Sequence, residues 1–420
     1  MSSPSSVSAT SSRADAARRW RDVLDLAAGD AGVAGEAAAR LTSEGDAAWE
    51  AAIATAADAN VAGAWLTRAD AAALFPPAVA ARLRRTAVGR VVQSSATIAA
   101  GAEMAARLAG AGIASVAIKG AAVIAALGPR GAARTTTDFD LVVAERDADR
   151  ARAALREAGF TELPIPFERH MREIARSREV HNAARPFRRG TLEIDLHWRF
   201  GPAPPPALEA ERLVARGVEA RAGTHAFRIS DPVSGVLIAV HHALRLSFDP
   251  ACCARDLCDL RFWWEAGALA DRLDELLAAA GESGLATALW TLWDAALARD
   301  PGHPLRAGYD RLGAALSVRE RREACALARF LARRLAGGAP AQLTLQLFAP
   351  RLYARSLFAA GKAPRGADAR DDEGRPAARK PLLRRVADLP RRAWRVARDL
   401  SRLGDLAAYR AVARAKSRFH

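Results

Sequence analysis

The stretch TTTDFDLVV, residues 135–143, carries two aspartates at the start of a strand-forming apolar run. Side chains alternate between the two faces of a β-strand, so Asp138 and Asp140 project from one face while Phe139 and Leu141 point into the core. Two carboxylates about 6–7 Å apart on one face repel each other unless a positive charge lies between them. The pattern therefore predicts a strand whose acidic face is either screened by solvent or joined by a metal ion.

The segments around this stretch predict a small sheet with short helices. IASVAIKG (113–120) is apolar and β-branched, AAVIAALG (121–128) is typical of a short helix, and ADRARAALREAGF (148–160) has helical amphipathic spacing. REVHNAARPF (178–187) and TLEIDLHWRF (191–200) predict two strands joined by a basic turn. Strands and helices thus alternate in the middle of the chain.

The predicted fold class is α+β, with a small mixed β-sheet core embedded between mainly helical N- and C-terminal regions. The expected segments are a disordered arm (1–13), a helical region (14–110), the α/β core (111–201), a helical domain (202–350), a linker (351–381) and a basic amphipathic helical tail (382–420).

The net charge of +15 is concentrated near the end of the chain. Residues 361–420 hold seventeen Lys/Arg and seven Asp/Glu, which is ten of the fifteen surplus charges. An apolar stripe beside arginines suits an anionic membrane surface, another protein or RNA. Packing of the tail against the core, with its arginines solvated, is the structural alternative. RNA ranks below the membrane and protein partners because aromatic residues for stacking are few.

The remaining composition gives expectations about location. MSSPSSVSATSSR (1–13) lacks the apolar centre of a secretory signal, and charges interrupt every apolar stretch before eighteen residues. The four cysteines lack paired metal-binding spacing, which favours free thiols. These features predict a cytoplasmic protein, which the basic tail could bring to the inner face of the membrane.

The order of elements predicts a site for a metal and a nucleotide. Gly120, after the first strand, would let the backbone approach a phosphate at the N-terminus of the next helix. Asp138 and Asp140 can hold Mg²⁺, with Mn²⁺ as a substitute, because hard cations prefer carboxylate oxygens. A third acid from a neighbouring strand would help to activate an attacking hydroxyl group.

Five further residues are candidates for this site. In LEIDLHW, Glu193, Asp195 and His197 share one strand face, and either acid could be the third carboxylate. Arg134 is placed to neutralise a polyphosphate or to organise the site. Lys119 follows an apolar strand, where a charge requires a partner.

Together these motifs resemble the nucleotidyltransferase superfamily with the DNA polymerase β-like catalytic fold, and more narrowly the bacterial uncharacterised nucleotidyltransferases. The resemblance covers residues 110–200 and continues loosely through VHHALRLS and RDLCDLRFW. It implies Asp195 as the third carboxylate, with Glu193 and His197 as accessory candidates. The implied catalytic and metal-binding residues are Asp138, Asp140 and Asp195, and the implied nucleotide-binding residues are Lys119, Gly120 and Arg134.

One departure concerns the residues after the first strand. The superfamily usually has Gly-Ser or Gly-Gly there, whereas this chain has Lys-Gly followed by Ala121, so the serine that often touches the terminal phosphate is missing. Farther along, Asp259 is expected either to contact a nucleotide or to pair with Arg255.

The resemblance implies a Mg²⁺-dependent transfer of a nucleoside monophosphate from a nucleoside triphosphate to an acceptor. The acceptor could be a small molecule, a peptide, a protein or RNA. Two alternatives stay open: a catalytically inactive nucleotide-binding or scaffold protein of the same fold, and a membrane- or RNA-associating protein that acts through its basic tail.

Overall fold

The computed structural model describes residues 7–163, 184–201, 204–246, 248–266 and 269–335, together with 411, 412 and 415. The predicted linker, most of the predicted tail and the first part of the strand expected at 178–187 lie outside the described residues.

Fifteen α-helices occur in the described ranges. They are α1 (Val7–Ala28), α2 (Ala31–Glu44), α3 (Asp46–Asp58), α4 (Ala62–Leu66), α5 (Ala71–Leu74), α6 (Pro77–Gly110), α7 (Lys119–Leu127), α8 (Ala148–Glu157), α9 (Ala210–Arg216), α10 (Pro232–Arg245), α11 (Pro250–Glu265), α12 (Leu273–Glu282), α13 (Ala286–Leu297), α14 (Leu305–Ala315) and α15 (Val318–Leu335).

The strands of the described residues form one mixed sheet of seven in the order β3-β4-β5-β2-β1-β7-β6. They are β1 (Ser115–Ala117), β2 (Phe139–Val143), β3 (Thr161–Glu162), β4 (Ala184–Arg189), β5 (Leu192–His197), β6 (Val218–Ala222) and β7 (His225–Ile229). The pairs β2–β5 and β1–β7 are parallel, and all other neighbours are antiparallel. This mixed sheet, flanked by helices, confirms the predicted α+β class.

The long helix α6 covers one face of the sheet. It packs against β1, β2, β5, β6 and β7. A Cβ atom at Gly101 would lie only 2.1 Å from the ring of Phe139, so the absence of a side chain there lets α6 approach the sheet closely. Since neighbouring residues of a strand face opposite ways, Asp140 projects from the other face of the sheet.

The helical regions and the sheet share one hydrophobic core. Buried apolar residues form a continuous cluster that runs from Val23 in α1 through the sheet strands to Leu335 at the end of α15. The same cluster includes Ala411, Val412 and Ala415, which are fully buried. This part of the predicted tail therefore packs on the rest of the protein.

The structure moves two of the expected segment boundaries. Helix α1 begins at Val7, inside the stretch predicted as a disordered arm. The hairpin β6–β7 extends the sheet past the expected core boundary at residue 201. Its turn, Gly223–Thr224, joins two runs that alternate in polarity, and Gly223 has the left-handed φ of +58° that such a turn favours.

None of the helices in the described ranges combines the length and the apolar composition that crossing a bilayer requires.

Candidate functional site

The acidic residues meet where two parallel strands run side by side. In the pairing of β2 with β5, Asp140 lies directly opposite Asp195. Paired residues project from the same face, so both carboxylates stand on the face opposite α6. Asp138 lies in the bend immediately before β2. The prediction that DFDLVV and LEIDLHW bring acids to one face of a sheet is confirmed for Asp140 and Asp195.

Asp140, Asp195 and His197 form a compact group in which one potential ligand atom from each lies within 4.8 Å of the others. Within the ranges that the structure describes, this is the one group of His, Cys, Asp and Glu side chains with such spacing. Asp138 is not a member of it. The Thr136 hydroxyl donates a hydrogen bond to Asp138 Oδ1 over 3.1 Å.

Asp140 is the most buried acid of the site, with 3% of its surface exposed. Its Oδ1 atom accepts a hydrogen bond from the ammonium group of Lys119 and lies 2.8 Å from His197 Nε2. Burial alone would raise the pKa of Asp140, but the Lys119 charge and the His197 contact outweigh it and hold the pKa below its ordinary value. Asp140 is therefore a carboxylate at neutral pH.

The pKa values of the other two carboxyl groups are shifted in the opposite direction, upwards. Burial, followed by the charges of Asp140 and Asp138, raises the pKa of Asp195 to about 7. Burial, followed by the charge of Asp140, also raises the pKa of Asp138. The charges of these three carboxyl groups act on one another, and their excess negative charge favours the binding of a proton or another cation.

His197 orients Asp140. Burial lowers the pKa of His197 below its ordinary value, so the imidazole is neutral at pH 7. Since Asp140 is ionised and can only accept, His197 donates through Nε2–H. The imidazole also stacks on Phe200 with a centroid separation of 5.7 Å and an interplanar angle of 1°, which fixes the orientation of the ring.

Glu193 lies outside this group. It is on the same strand as Asp195, but its carboxylate pairs with Arg188 Nη2 on the neighbouring strand β4 at 2.8 Å. This pair is half-exposed and occupies the carboxylate. Among the accessory candidates, His197 is therefore the one that the fold brings to the aspartates.

The start of α7 brings Lys119 and Gly120 to the site. Lys119 has a φ of +53°, a left-handed conformation that is uncommon for a residue with a side chain. A Cβ atom at Gly120 would lie 2.7 Å from Thr136 Oγ1, so the missing side chain makes room for the loop before β2. The Thr136 side chain thus fills the space beside Gly120. The backbone N–H of Gly120 lies in the first turn of α7.

Arg134 is buried and has a carboxylate partner. Its Nε lies 2.7 Å from Asp259 Oδ1 and its Nη2 lies 3.2 Å from Asp259 Oδ2, a two-pronged ion pair between the loop before β2 and α11. Arg134 Nη1 also donates a hydrogen bond to the carbonyl oxygen of Thr135. Of the two roles expected for Arg134, this geometry favours the site-organising one. Asp259 was expected to contact a nucleotide or to pair with Arg255, and in the structure its carboxylate pairs with Arg134 instead of Arg255.

The loop between Arg134 and β2 is held by further hydrogen bonds. The backbone N–H of Thr136 donates to Ser94 Oγ in α6 over 3.1 Å, and the Thr135 hydroxyl donates to Asn60 Oδ1 over 3.3 Å. The position of Asp138 thus depends on a residue of α6 and on Asn60 in the turn between α3 and α4.

The sequence matches the family model described as "Uncharacterised nucleotidyltransferase" over residues 45–296, which is more than half of the chain. The chain belongs to this family. No curated protein matches the sequence. The region shared with the nucleotidyltransferase family includes all seven strands and extends through α10 and α11, well beyond the residues 110–200 on which the resemblance was strongest.

Two arginines of the nucleotidyltransferase region lie near the acids, and sequence reasoning placed neither of them at the site. Arg245 ends α10 and Arg255 lies in α11. The charge of Arg255 acts on Asp138 and lowers its pKa, against the dominant effect of burial. Burial lowers the pKa of Arg245, whereas the nearby Asp140 charge raises it. One feature of the sequence could have identified them: Arg245 lies in VHHALRLS and Arg255 in RDLCDLRFW, the two segments over which the family resemblance continues loosely.

The donor set of this acidic group is compatible with a metal ion. Asp140 and Asp195 offer carboxylate oxygens to a common point, and Asp138 adds negative charge beside them. His197 points its Nε2 at Asp140 Oδ1, as a residue that orients a metal-binding carboxylate would. A cluster of oxygen donors suits a hard divalent cation.

Proposed function

We propose that this protein is a Mg²⁺-dependent nucleotidyltransferase, able to use Mn²⁺, that transfers a nucleoside monophosphate from a nucleoside triphosphate to an acceptor. The observation that carries the proposal is the alignment of Asp140 opposite Asp195 on parallel strands, with Asp138 beside them. Membership in the nucleotidyltransferase family supports the same reaction class.

In this proposal, Asp138, Asp140 and Asp195 hold the metal ion. A bound divalent cation would stabilise negative charge on the entering and leaving oxygens of the phosphoryl group. His197 keeps Asp140 in place through its Nε2–H bond. Lys119, which contacts Asp140, and the first N–H groups of α7, including that of Gly120, bind the phosphates.

The transfer itself makes one bond and breaks one. An acceptor hydroxyl oxygen forms a bond to the α-phosphorus, and its proton passes to Asp195. The bond between the α-phosphorus and the oxygen that bridges to the β-phosphorus breaks, and pyrophosphate leaves with the electron pair. Arg134 contributes by holding the loop that carries Asp138, because its pair with Asp259 ties that loop to α11.

The acceptor is the open part of this reaction. A small molecule, a peptide, a protein side chain or RNA all present hydroxyl groups that can attack phosphorus. The missing serine after the first strand also leaves the binding of the terminal phosphate to other groups, among which Lys119 is a candidate.

Incubation with each α-³²P-labelled nucleoside triphosphate, Mg²⁺ and cell extract tests the proposal. We expect a labelled product with the wild-type protein and none with Asp140→Asn or after chelation of the metal. Asp149→Asn is a matched control, because this acid is exposed and its ion pair within the described ranges is with Arg152, one helical turn away. We expect it to label the product as the wild-type protein does.

Two results would contradict the proposed reaction. If labelled nucleotide binds but no product forms with any extract, the protein is a nucleotide-binding or scaffold protein of the same fold. If Asp140→Asn labels the product as well as the wild-type protein does, the aspartates are not the catalytic group.

A further inference from the structure

A second cluster of polar residues lies beside the acidic site, at the junction of α10 with α11. It consists of His242, Asp256 and Arg255. The His242 imidazole contacts both carboxylate oxygens of Asp256 through Nδ1, at 2.9 and 3.1 Å. On its other side, His242 Nε2 lies 3.3 Å from Arg255 Nη2. None of these residues belongs to the acidic group described above.

These contacts fix the protonation of His242. A guanidinium group can only donate hydrogen bonds, so His242 Nε2 must accept the one from Arg255. Nδ1 must then carry the proton that is donated to Asp256. Burial also lowers the pKa of His242 below its ordinary value, which agrees with a neutral ring. A neutral imidazole with one donor and one acceptor thus links a buried carboxylate to the guanidinium.

Arg255 is left with unused donors. Its Nε lies 3.9 Å from Asp256 Oδ1, too far for a hydrogen bond, and Asp256 already accepts from His242. Among the described residues, the contact with His242 is the one hydrogen bond of the Arg255 side chain. The side chain is only 27% exposed, and partly buried guanidinium donors without acceptors are costly.

The free donors of Arg255 lie near the acidic site. Helix α11 packs against α7, whose first residue is Lys119. The charge of Arg255 acts on Asp138, and the charge of Lys119 acts on His242. Arg245 ends α10, which also packs against α7, and it forms no salt bridge within the described part of the chain. The charge of Asp140 acts on Arg245 as well. Three cations therefore lie near the acids, and neither Arg255 nor Arg245 donates a hydrogen bond to a carboxylate of the described residues.

We infer that Arg255 and Arg245 form a binding site for the β- and γ-phosphates, and that the Asp256–His242 pair positions Arg255 for this contact. The inference rests on the proposed function. Arginine suits this task because its planar fork of donors matches phosphate oxygens. The pair of arginines supplies the terminal-phosphate contacts that the missing serine would otherwise make.

Calorimetric titration of the full-length protein with inorganic tripolyphosphate and saturating Mg²⁺ tests this inference without knowledge of the base. We expect Arg255→Ala and Arg245→Ala each to raise the Kd by about tenfold or more, as the loss of a charge-assisted contact implies. His242→Ala should raise the Kd by a smaller factor. His242→Gln should restore most of the affinity, since its amide can accept from Arg255 and donate to Asp256.

Arg107→Ala is the control for loss of one positive charge, because Arg107 is exposed and pairs with Glu103 on the same helix. It should leave the Kd unchanged. Thermal unfolding of each variant separates folding from binding: a purely structural role of His242 would lower the Tm of His242→Ala and leave its Kd unchanged. In the labelling assay, the arginine variants should raise the KM for nucleotide more than they lower kcat.

Wild-type affinity in Arg255→Ala would overturn the inference and leave the proposed reaction intact. Equal affinities of His242→Ala and His242→Gln would overturn the positioning role of His242. If the wild-type protein binds neither tripolyphosphate nor any nucleoside triphosphate, the inference fails together with the proposed function.

Discussion

Lys119 and His197 contact the same oxygen atom, Oδ1 of Asp140. One contact comes from the start of α7 and the other from the end of β5, so this single carboxylate oxygen joins the helix to the parallel strand pair. Lys119 also supplies positive charge at the point where a metal ion would bind. The left-handed φ of +53° at Lys119 accompanies this contact, as backbone strain at functional sites often does.

The first prediction concerns the competition between Lys119 and a metal ion. Lys119→Ala should bind Mn²⁺ more tightly than the wild-type protein in the absence of nucleotide, by about tenfold, because one charge-assisted hydrogen bond to Asp140 is removed. Nucleotide affinity should fall by a similar factor. Titration calorimetry with Mn²⁺ and then with nucleotide measures both. Lys119→Arg keeps the charge and serves as the control, and weaker Mn²⁺ binding by Lys119→Ala would contradict the competition.

The second prediction concerns the buried pair of Arg134 with Asp259. Removing one partner leaves the other charged and buried, so Arg134→Ala should lower the free energy of unfolding by about 3–5 kcal/mol. The double variant Arg134→Met with Asp259→Leu should lose less, since no unpaired charge remains. Urea unfolding measures both changes.

An exposed ion pair provides the comparison for this experiment. Arg107→Ala breaks the pair with Glu103 on the surface of α6 and should change the free energy of unfolding by no more than about 1 kcal/mol. A loss for Arg134→Ala as small as that for Arg107→Ala would show that the buried pair is not holding the loop.

The third prediction concerns pH and His303. Its Nδ1 accepts a hydrogen bond from the Leu305 N–H at the start of α14, and burial, followed by the charge of Arg261, lowers its pKa to about 4, while Asp300 acts in the opposite direction. Between its ordinary pKa of about 6.5 and this lower value, the unfolded chain binds a proton that the folded protein does not. Stability should therefore fall as the pH drops from about 6.5 towards 4.

His303→Asn isolates this contribution. Asparagine offers an oxygen acceptor to the Leu305 N–H but does not titrate. Urea unfolding at about pH 7.5 and pH 4.5 should show a loss of stability that is smaller in the variant by about 2 kcal/mol. Equal losses in the two proteins would show that His303 is protonated as easily in the folded state as in the unfolded one.

The fourth prediction concerns the basic tail. Because Ala411, Val412 and Ala415 are buried in the common core, deletion of residues 364–420 should lower the Tm by several degrees, equivalent to about 2 kcal/mol. Differential scanning calorimetry measures this change. An unaltered Tm would contradict a structural role for these three residues.

A membrane role of the tail has a separate test. Co-sedimentation of the full-length protein with phosphatidylserine vesicles at low and high salt should show salt-sensitive binding when the arginines contact anionic lipid. Neutral phosphatidylcholine vesicles are the control. Absence of binding to the anionic vesicles at low salt would exclude the membrane surface as a partner.

The local elements of the site could be predicted from the sequence, whereas their partners could not. Alternation within DFDLVV and LEIDLHW placed each acid on a polar strand face. Which strands are neighbours depends on contacts between distant segments, as the pairing of Asp140 with Asp195 illustrates. Arg134 shows the same limit: the sequence predicted that it neutralises a polyphosphate or organises the site, but its partner Asp259, 125 residues away in α11, could not be predicted.

The hairpin β6–β7 was missed for a different reason. VEARA and HAFRI are short and contain few β-branched residues. They also follow the proline-rich segment PAPPPA (202–207), next to the predicted core boundary at residue 201. Their strand conformation depends on the parallel pairing of β7 with β1 and on packing against α6. Tertiary contacts of this kind override weak local preferences.

The register between β2 and β5 decides whether Asp140 and Asp195 meet. Catalytic activity therefore reports whether the sheet has assembled in the correct register. A shift of β5 by one residue would turn Asp195 towards α6, and a shift by two would set Glu193 or His197 opposite Asp140. Chains with a misaligned sheet would thus lack the acidic group, even when their helices are intact. A ligand that bridges Asp140 and Asp195 would selectively stabilise the aligned chains, so refolding yield should rise with ligand concentration.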